Sequence, residues 1–336
     1  MAFLKHFNRN AASAAETGLS ANSNFSGGRF YNKGGMPNIE AKGMPIFARF
    51  NIYHTLLSLP TWKFLCIILF FFIGINLLFA SVYLLIGIEH LSGMVAVSEA
   101  EKFGEAFFFS AQTFTTVGYG RINPIGFAAS FTAAVEAMVG LMAFALVTGL
   151  LYGRFAKPKA YIKYSQNILL VPYKEGVALM FRMVPYTKNY LVNVEVQLTV
   201  AMRIMENNVL KNKFFTLDLE INKAASLILN WTLVHVINEK SPLFGLSQQD
   251  IIDANTEVLV FVQGFDESFS STVISRTSYL YSEWVYGAKF SPMYHPNNQN
   301  TGTVLLLDQL DSYEQVPLPN DVSFAIKNAE NTDQNN

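Results

Sequence analysis

Two long apolar stretches dominate the pattern of hydrophobic and polar positions. Residues 64–87 (FLCIILFFFIGINLLFASVYLLIG) carry no charge, and 126–153 is interrupted only by Glu136. As a helix rising about 1.5 Å per residue the first reaches about 36 Å, enough to cross a ~30 Å hydrocarbon core with some tilt. The pattern predicts two membrane-spanning helices, over 61–88 and 126–154. Neither reads as a secretory signal, since the first lies well inside the chain and no small-residue cleavage site follows it. Ahead of them, Phe47, Phe50, Tyr53 and Leu57 stand at helical spacing opposite Arg49, Asn51, Thr55 and Ser58. That suits a helix lying in the membrane interface over 45–60, stopped by Pro60 and anchored by Trp62 and Lys63. An ordinary amphipathic surface helix shares the pattern. Residues 1–44, rich in Ala, Ser, Asn and Gly with no apolar period, read as a flexible tail, and 319–336 as a disordered one.

Between the spans, 103–114 (FGEAFFFSAQTF) is apolar but too short to cross a bilayer. It predicts a re-entrant helix over 104–115, leading into Thr116-Val117-Gly118-Tyr119-Gly120. Non-helical backbone at membrane depth survives only where protein buries it or where it lines a water-filled path. Residues 61–156 therefore read as a pore-loop unit. From 157 to 318 the period changes. Short β-rich runs at 168–171, 177–183, 192–199, 214–219, 227–236, 257–263 and 304–307 alternate with turn signals, which predicts an antiparallel β-sandwich. That half contains no Gly-rich nucleotide fingerprint, and the first span carries no arginine ladder of a voltage sensor.

Composition sharpens the membrane reading. Charged residues make up 15% of the chain, against about 25% in soluble domains. Basic residues gather before the first span (Lys5, Arg9, Arg29, Lys33, Lys42, Arg49, Lys63) and after the second (Arg154, Lys157, Lys159, Lys163). The loop between has Lys102 and Arg121 against Glu89, Glu99, Glu101 and Glu105. The positive-inside rule then puts both termini in the cytoplasm of a multi-pass protein of the cell (plasma or inner) membrane. A formal charge of −1 offers no footprint for nucleic acid. The lone Cys66 excludes a disulfide framework, and the histidines are scattered. No nucleophile–base pair or metal cluster suggests an enzyme, and no cofactor is implied.

The loop 116–120 has the chemistry of a potassium filter. A dehydrated K⁺ needs oxygen ligands in place of its water, and backbone carbonyls supply them without fixed charge. Successive carbonyls face one side only if ordinary and left-handed dihedrals alternate, which Gly118 and Gly120 allow at no steric cost. The Thr116 hydroxyl adds oxygen at the inner end, and Tyr119 is expected to point away from the ions and brace the loop. One loop cannot encircle an ion, so a symmetric homotetramer is expected, with K⁺ as permeant ion at 116–119 and no other cofactor. The competing reading, a membrane-anchored β-sandwich that binds a partner, predicts no K⁺-stabilised tetramer.

The chain resembles the inward-rectifier potassium channels, most of all their prokaryotic branch, from about Arg49 to Leu318. The markers are the interfacial helix before Trp62-Lys63, the TTVGYG filter from Thr115, and the second-span ending LYGRFAKPK from Leu151. The cytoplasmic half adds SPLFGLS from Ser241 and SYLYSEWVYG from Ser278. The resemblance implies an immunoglobulin-like cytoplasmic β-domain, and gating at the inner helix bundle and in that domain. It also implies modulation by anionic phospholipid headgroups in the bilayer, and block by Mg²⁺, Ba²⁺ or polyamines.

Individual positions follow. In many members a pore-helix acid pairs with an arginine behind the filter; here Gln112 holds the acid's place and Arg121 stands one position early. Glu136, the one charged residue within the apolar stretches 64–87 and 126–153, is expected to support the filter by accepting hydrogen bonds from it or from its pore helix. Gly140 sits in a stripe of small residues and serves either close packing or a bend. Phe144 occupies the position that is acidic in strong rectifiers, so weak rectification is expected. Tyr152 matches the bundle crossing that narrows the inner pore, and Thr148 lines it between them. Arg49, Lys63, Arg154, Lys157 and Lys159 are the expected headgroup ligands. Glu267 falls on a family acid of the cytoplasmic pore.

Overall fold

A computed structural model of the chain describes residues 29–40, 42–43, 52–187, 190–206, 209–297, 299 and 301–318. They belong to two compact units, Ala41–Lys157 and Met1–Glu40 with Pro158–Asn336.

In the first unit a short helix α1 (Ile52–Ser58) ends just before Pro60. The long helix α2 (Thr61–Ile86) starts behind that proline, which lacks an N–H and so cannot continue α1. Its 26 residues reach about 39 Å. Helix α3 (Glu99–Phe114) begins earlier than the expected 104 because Ser98 and Glu101 cap it reciprocally. The Ser98 Oγ accepts from the Glu101 N–H at 3.3 Å, and Glu101 Oε2 accepts from the Ser98 N–H at 3.1 Å. Helix α4 (Phe127–Phe155) runs without a break for 29 residues. Two-residue strands β1 (Leu91–Ser92) and β2 (Asn123–Pro124) pair antiparallel and tie together the ends of the loop that carries α3.

The unit's core joins Phe79, Ala80 and Tyr83 of α2 to Ala106 and Phe109 of α3. Over much of their remaining surface both long helices are apolar and uncovered. Phe70, Leu78 and Leu85 on α2, and Phe127, Leu141 and Phe155 on α4, are all exposed in the single chain. Surfaces of this extent are stable only against lipid or other chains.

In chain order the second unit holds β3 (Ile162–Tyr164), β4 (Ile168–Tyr173), β5 (Gly176–Pro185), β6 (Leu191–Glu206), β7 (Val209–Leu217), β8 (Lys223–Leu227) and β9 (Trp231–Ile237). A short helix α5 (Gln248–Asp253) then precedes β10 (Glu257–Asp266), β11 (Ser271–Leu280) and β12 (Trp284–Tyr286). One sheet has the order β11-β10-β6-β7 with β8 paired to β6; the other is β12-β4-β5-β3 with β9 paired to β5. The inner faces meet through residues such as Leu179, Phe181, Val196, Leu198, Val258 and Val260. Strand β5 is apolar almost throughout because both its faces are covered: Ala178 and Met180 pack outward on Ala288 and Phe290.

Several features differ from the sequence reading. The expected strand 227–236 shares only Leu227 with β8 and otherwise falls on a turn and β9. Strand β11 was absent from the expected set because its sequence STVISRTSYL carries too many hydroxyls to look buried. And the expected tail over 1–44 includes an ordered piece. Phe30 is buried against Ala201, Phe214 and Leu259. The buried Glu257 carboxylate accepts from the Phe30 N–H at 2.7 Å, and Arg29 pairs with Glu283 at 2.8 Å. A window average over a polar segment hides one well-placed phenylalanine.

Candidate functional site

The loop from Thr115 to Gly120 leaves the C-terminal end of α3. Its start is fixed by the helix: the Gln112 carbonyl accepts from the Val117 N–H at 2.9 Å and from the Gly118 N–H at 3.3 Å. The Thr115 hydroxyl donates to the Ala111 carbonyl at 2.7 Å. Thr116, Gly118 and Gly120 lie in the left-handed region at φ 59°, 52° and 82°, so left-handed residues alternate with ordinary ones along the loop. Thr116 is the one β-branched residue in that region among the described residues. Strain of about 1–3 kcal/mol there persists only where the surroundings impose it. At the outer end Asn123 Nδ2 donates to the Gly120 carbonyl at 3.1 Å. Val117 and Tyr119 are exposed in the single chain, so a brace on the tyrosine ring is not supplied by the chain itself.

Two polar constructions anchor α3, the helix that carries this loop. At the outer mouth Arg121 pairs with Glu105 of α3 at 2.9 Å, and Glu105 also accepts from the Val95 N–H at 3.1 Å. Gln112 contributes its backbone carbonyl, while the acid that meets Arg121 is Glu105, two turns nearer the start of α3. Sequence reasoning missed that partner, because nothing in the sequence distinguishes Glu105 from Glu99 and Glu101 on the same helix. In the interior, Glu136 is fully buried with Asn76 and Ser110. The Tyr83 hydroxyl donates to Glu136 Oε2 at 2.7 Å, Ser110 bonds Glu136 Oε1, and Ser110 lies 2.9 Å from Asn76 Oδ1. Asn76 and Tyr83 were not among the expected residues. A polar Asn within an uncharged span was the available signal.

Gly140 occupies the crossing of α4 with the end of α3. A Cβ there would lie 1.9 Å from the Phe114 carbonyl oxygen, so the two helices meet backbone to backbone. Beside this contact opens a cavity of about 540 Å³, lined by Phe72, Phe114, Thr116, Gly140 and Phe144 among others. Phe144, Thr148 and Tyr152 recur every four residues on one face of α4, and all three are exposed.

Basic residues near the helix ends differ in what they touch. The Arg154 guanidinium donates to the Leu56 and Leu59 carbonyls at 2.5 and 2.7 Å, and lies 4.6 Å over the buried Phe64 ring. It is engaged with the end of α1. Lys63 lies over Trp62 at 5.4 Å, and Lys63 and Lys157 are exposed. Lys159 belongs to the second unit, and Arg49 falls outside the described residues. Glu267 is exposed at the tip of the β10–β11 hairpin, whose turn the buried Asp266 caps by accepting from the Ser268 N–H at 2.9 Å. Among the described residues no group of three or more His, Cys, Asp or Glu is placed to hold a metal ion.

Comparison with known proteins agrees in both units. The family model described as "Inward rectifier potassium channel C-terminal domain" matches residues 162–334, and an "Ion channel" model matches 71–157. Inward rectifier potassium channel Kirbac3.1 of Paramagnetospirillum magnetotacticum is 29% identical over 239 residues, 71% of this chain and 79% of that protein. ATP-sensitive inward rectifier potassium channel 12 of Gallus gallus is 30% identical over 217 residues, covering 60% of this chain and 50% of its own length. Its Homo sapiens counterpart is 26% identical over 294 residues, covering 81% and 68%.

Proposed function

Because the chain belongs to the inward rectifier potassium channel family, we propose that it conducts K⁺ passively as a homotetramer, with four copies of 116–120 around one axis. The observation that carries this is the loop itself. The Gln112 carbonyl pins its inner end to α3 while left-handed residues alternate at Thr116, Gly118 and Gly120, the backbone a row of carbonyl ligands requires. The uncovered apolar faces of α2 and α4 support an assembly seated in lipid, with both termini on the cytoplasmic side. Packing of four chains supplies the brace for Tyr119.

The gate is Tyr152, where four rings close the inner path by excluding water. Arg154, two residues on, grips the last carbonyls of α1, a favourable place for a cation at a helix C-terminus. A shift of the interfacial helix therefore moves the end of the pore-lining helix. In this reading Arg154 transmits the lipid signal, and exposed Lys63 and Lys157 meet the anionic headgroups. Phe144 gives Mg²⁺ or polyamines no carboxylate to bind, so rectification is weak, and Phe144→Asp strengthens it. Glu267 attracts cations on the cytoplasmic side.

The test is uptake of Rb⁺ into liposomes containing the purified protein, against a Na⁺ control, with and without Ba²⁺. Ba²⁺-sensitive uptake that excludes Na⁺ is expected. Absence of uptake across a series of anionic lipids would favour the anchored binding module instead.

A further inference from the structure

The proton count around Glu136 has one solution. Ser110 has a single hydroxyl proton, yet its oxygen lies within hydrogen-bond distance of two oxygens, Glu136 Oε1 and Asn76 Oδ1. The Asn76 amide cannot be turned over to relieve this. Its Nδ2 donates to the Phe72 carbonyl at 2.6 Å, and a flip would set two oxygens against each other there. The Tyr83 hydroxyl already donates to Glu136 Oε2. If Glu136 were a carboxylate, Ser110 would have to give its one proton either to it or to Asn76, and the other oxygen pair would be left without a hydrogen.

We infer that Glu136 carries its proton and donates it to Ser110, which donates onward to Asn76, which donates to the Phe72 carbonyl. Every contact then has one hydrogen, and the chain of donors runs Tyr83 to Glu136 to Ser110 to Asn76 to the backbone of α2. The environment agrees. The groups facing Glu136 are Tyr83 and Asn76 from α2 and Ser110 from α3, amid Phe79, Ala80, Ala106 and Phe109, and no basic side chain among the described residues pairs with it. An unpaired ionised carboxylate in such a place is costly, whereas a neutral one in a fully satisfied network is not. Glu136 is thus a positioning residue of mixed character. It accepts from α2 and donates to α3, locking the pore helix to both spanning helices by neutral hydrogen bonds, where the expectation from sequence had it only accepting.

The inference rests on the channel reading for its functional consequence but not for its first test. Infrared spectra of the purified wild type and Glu136→Gln at neutral pH are compared for the protonated-carboxyl stretch. Any other protonated carboxyl contributes to both spectra and cancels. A band present in the wild type and missing in the variant is expected; no difference overturns the proposal. The second test uses substitution. A glutamine donates through its amide to Ser110 and accepts from Tyr83, so Glu136→Gln should keep the Rb⁺/Na⁺ uptake ratio within about twofold. Glu136→Ala, which leaves the buried Tyr83 hydroxyl without its acceptor and the Ser110 oxygen without its donor, should lower the ratio by about tenfold or more. Glutamine behaving like alanine overturns the neutral-bridge role. If wild-type protein fails to take up Rb⁺ while the band is present, the channel reading fails and the protonated carboxyl stands.

Discussion

Gly140→Ala asks whether the small residue at the centre of α4 is a bend or a contact. A Cβ at that position would stand 1.9 Å from the Phe114 oxygen, 2.8 Å from its carbonyl carbon and 3.0 Å from its Cα. Carbon and carbonyl oxygen approach to about 3.3 Å at closest, so the helices must part by about 1.4 Å at this crossing. The atom met is backbone, which cannot swing aside as a side-chain tip would. Phe114 is the last residue of α3, and Gln112 just before it holds the amides of Val117 and Gly118. A displacement of that size is close to the rise of one helical residue and falls directly on the filter's inner anchor. Overpacking of this kind costs about 1–3 kcal/mol per chain, and in a tetramer every copy bears it. The assay is thermal dissociation of the purified tetramer across a K⁺ series, read beside Rb⁺/Na⁺ uptake. The expected result is a lower midpoint, a weaker dependence on K⁺ and a loss of selectivity. A pure hinge would behave otherwise: open probability would change while the K⁺ dependence and selectivity stayed as in wild type. That outcome would refute the packing argument.

Arg154→Gln removes charge-assisted bonds to two carbonyls, a loss of about 1.5–3 kcal/mol; amide hydrogen exchange in α1 should quicken while liposome binding to anionic lipid holds, and unchanged exchange would exclude the coupling role. Glu105→Gln or Arg121→Gln should speed the decline of K⁺ flux after opening and leave open probability unaltered; a decline equal to wild type would show the outer ion pair to be idle. His235 is buried with Nδ1 on the Asp218 carbonyl at 2.7 Å and Nε2 on Ser241 at 2.8 Å, and burial pushes its pKa below the ordinary 6.5. A base depressed in the folded state binds fewer protons than when unfolded, so the second unit loses stability as pH falls below 6.5 toward the folded value. An NMR titration of the ring with a midpoint at or above 6.5 would contradict this. Phe30→Ala should cost about 3 kcal/mol of local packing and open 29–38 to proteases, with resistance equal to wild type counting against the docked segment.

Hydropathy and period, which are local properties, were enough for much of the architecture. An uncharged run longer than a bilayer is a spanning helix wherever it packs, and alternating β-rich runs make a sandwich whatever their order. The loop 116–120 is local only in part: Gly118 and Gly120 admit left-handed dihedrals by themselves, whereas Thr116 takes one only because its surroundings impose it. What lay beyond the sequence were contacts set by how helices rotate and cross. Tyr83 meets Glu136 across 53 positions and Arg154 meets Leu56 across 98, and no periodicity encodes which faces come together. The stripe of small residues on α4 makes the point most directly. Gly140 and Gly149 look alike in sequence, yet a Cβ at Gly149 would meet nothing within 4 Å while one at Gly140 would strike the Phe114 backbone. Composition also hid the ordered piece of the N-terminal segment. Phe30 and Arg29 acquire partners only because β6, β7 and β10 bring Ala201, Phe214 and Leu259 together and the chain after β11 offers Glu283. The sequence determined the spanning helices, most of the long strands and which ion chemistry the loop suits; the tertiary structure decided which side chains tie α3 to its neighbours, because hydrogen bonds and close packing are settled at distances of ångströms between residues far apart in the chain.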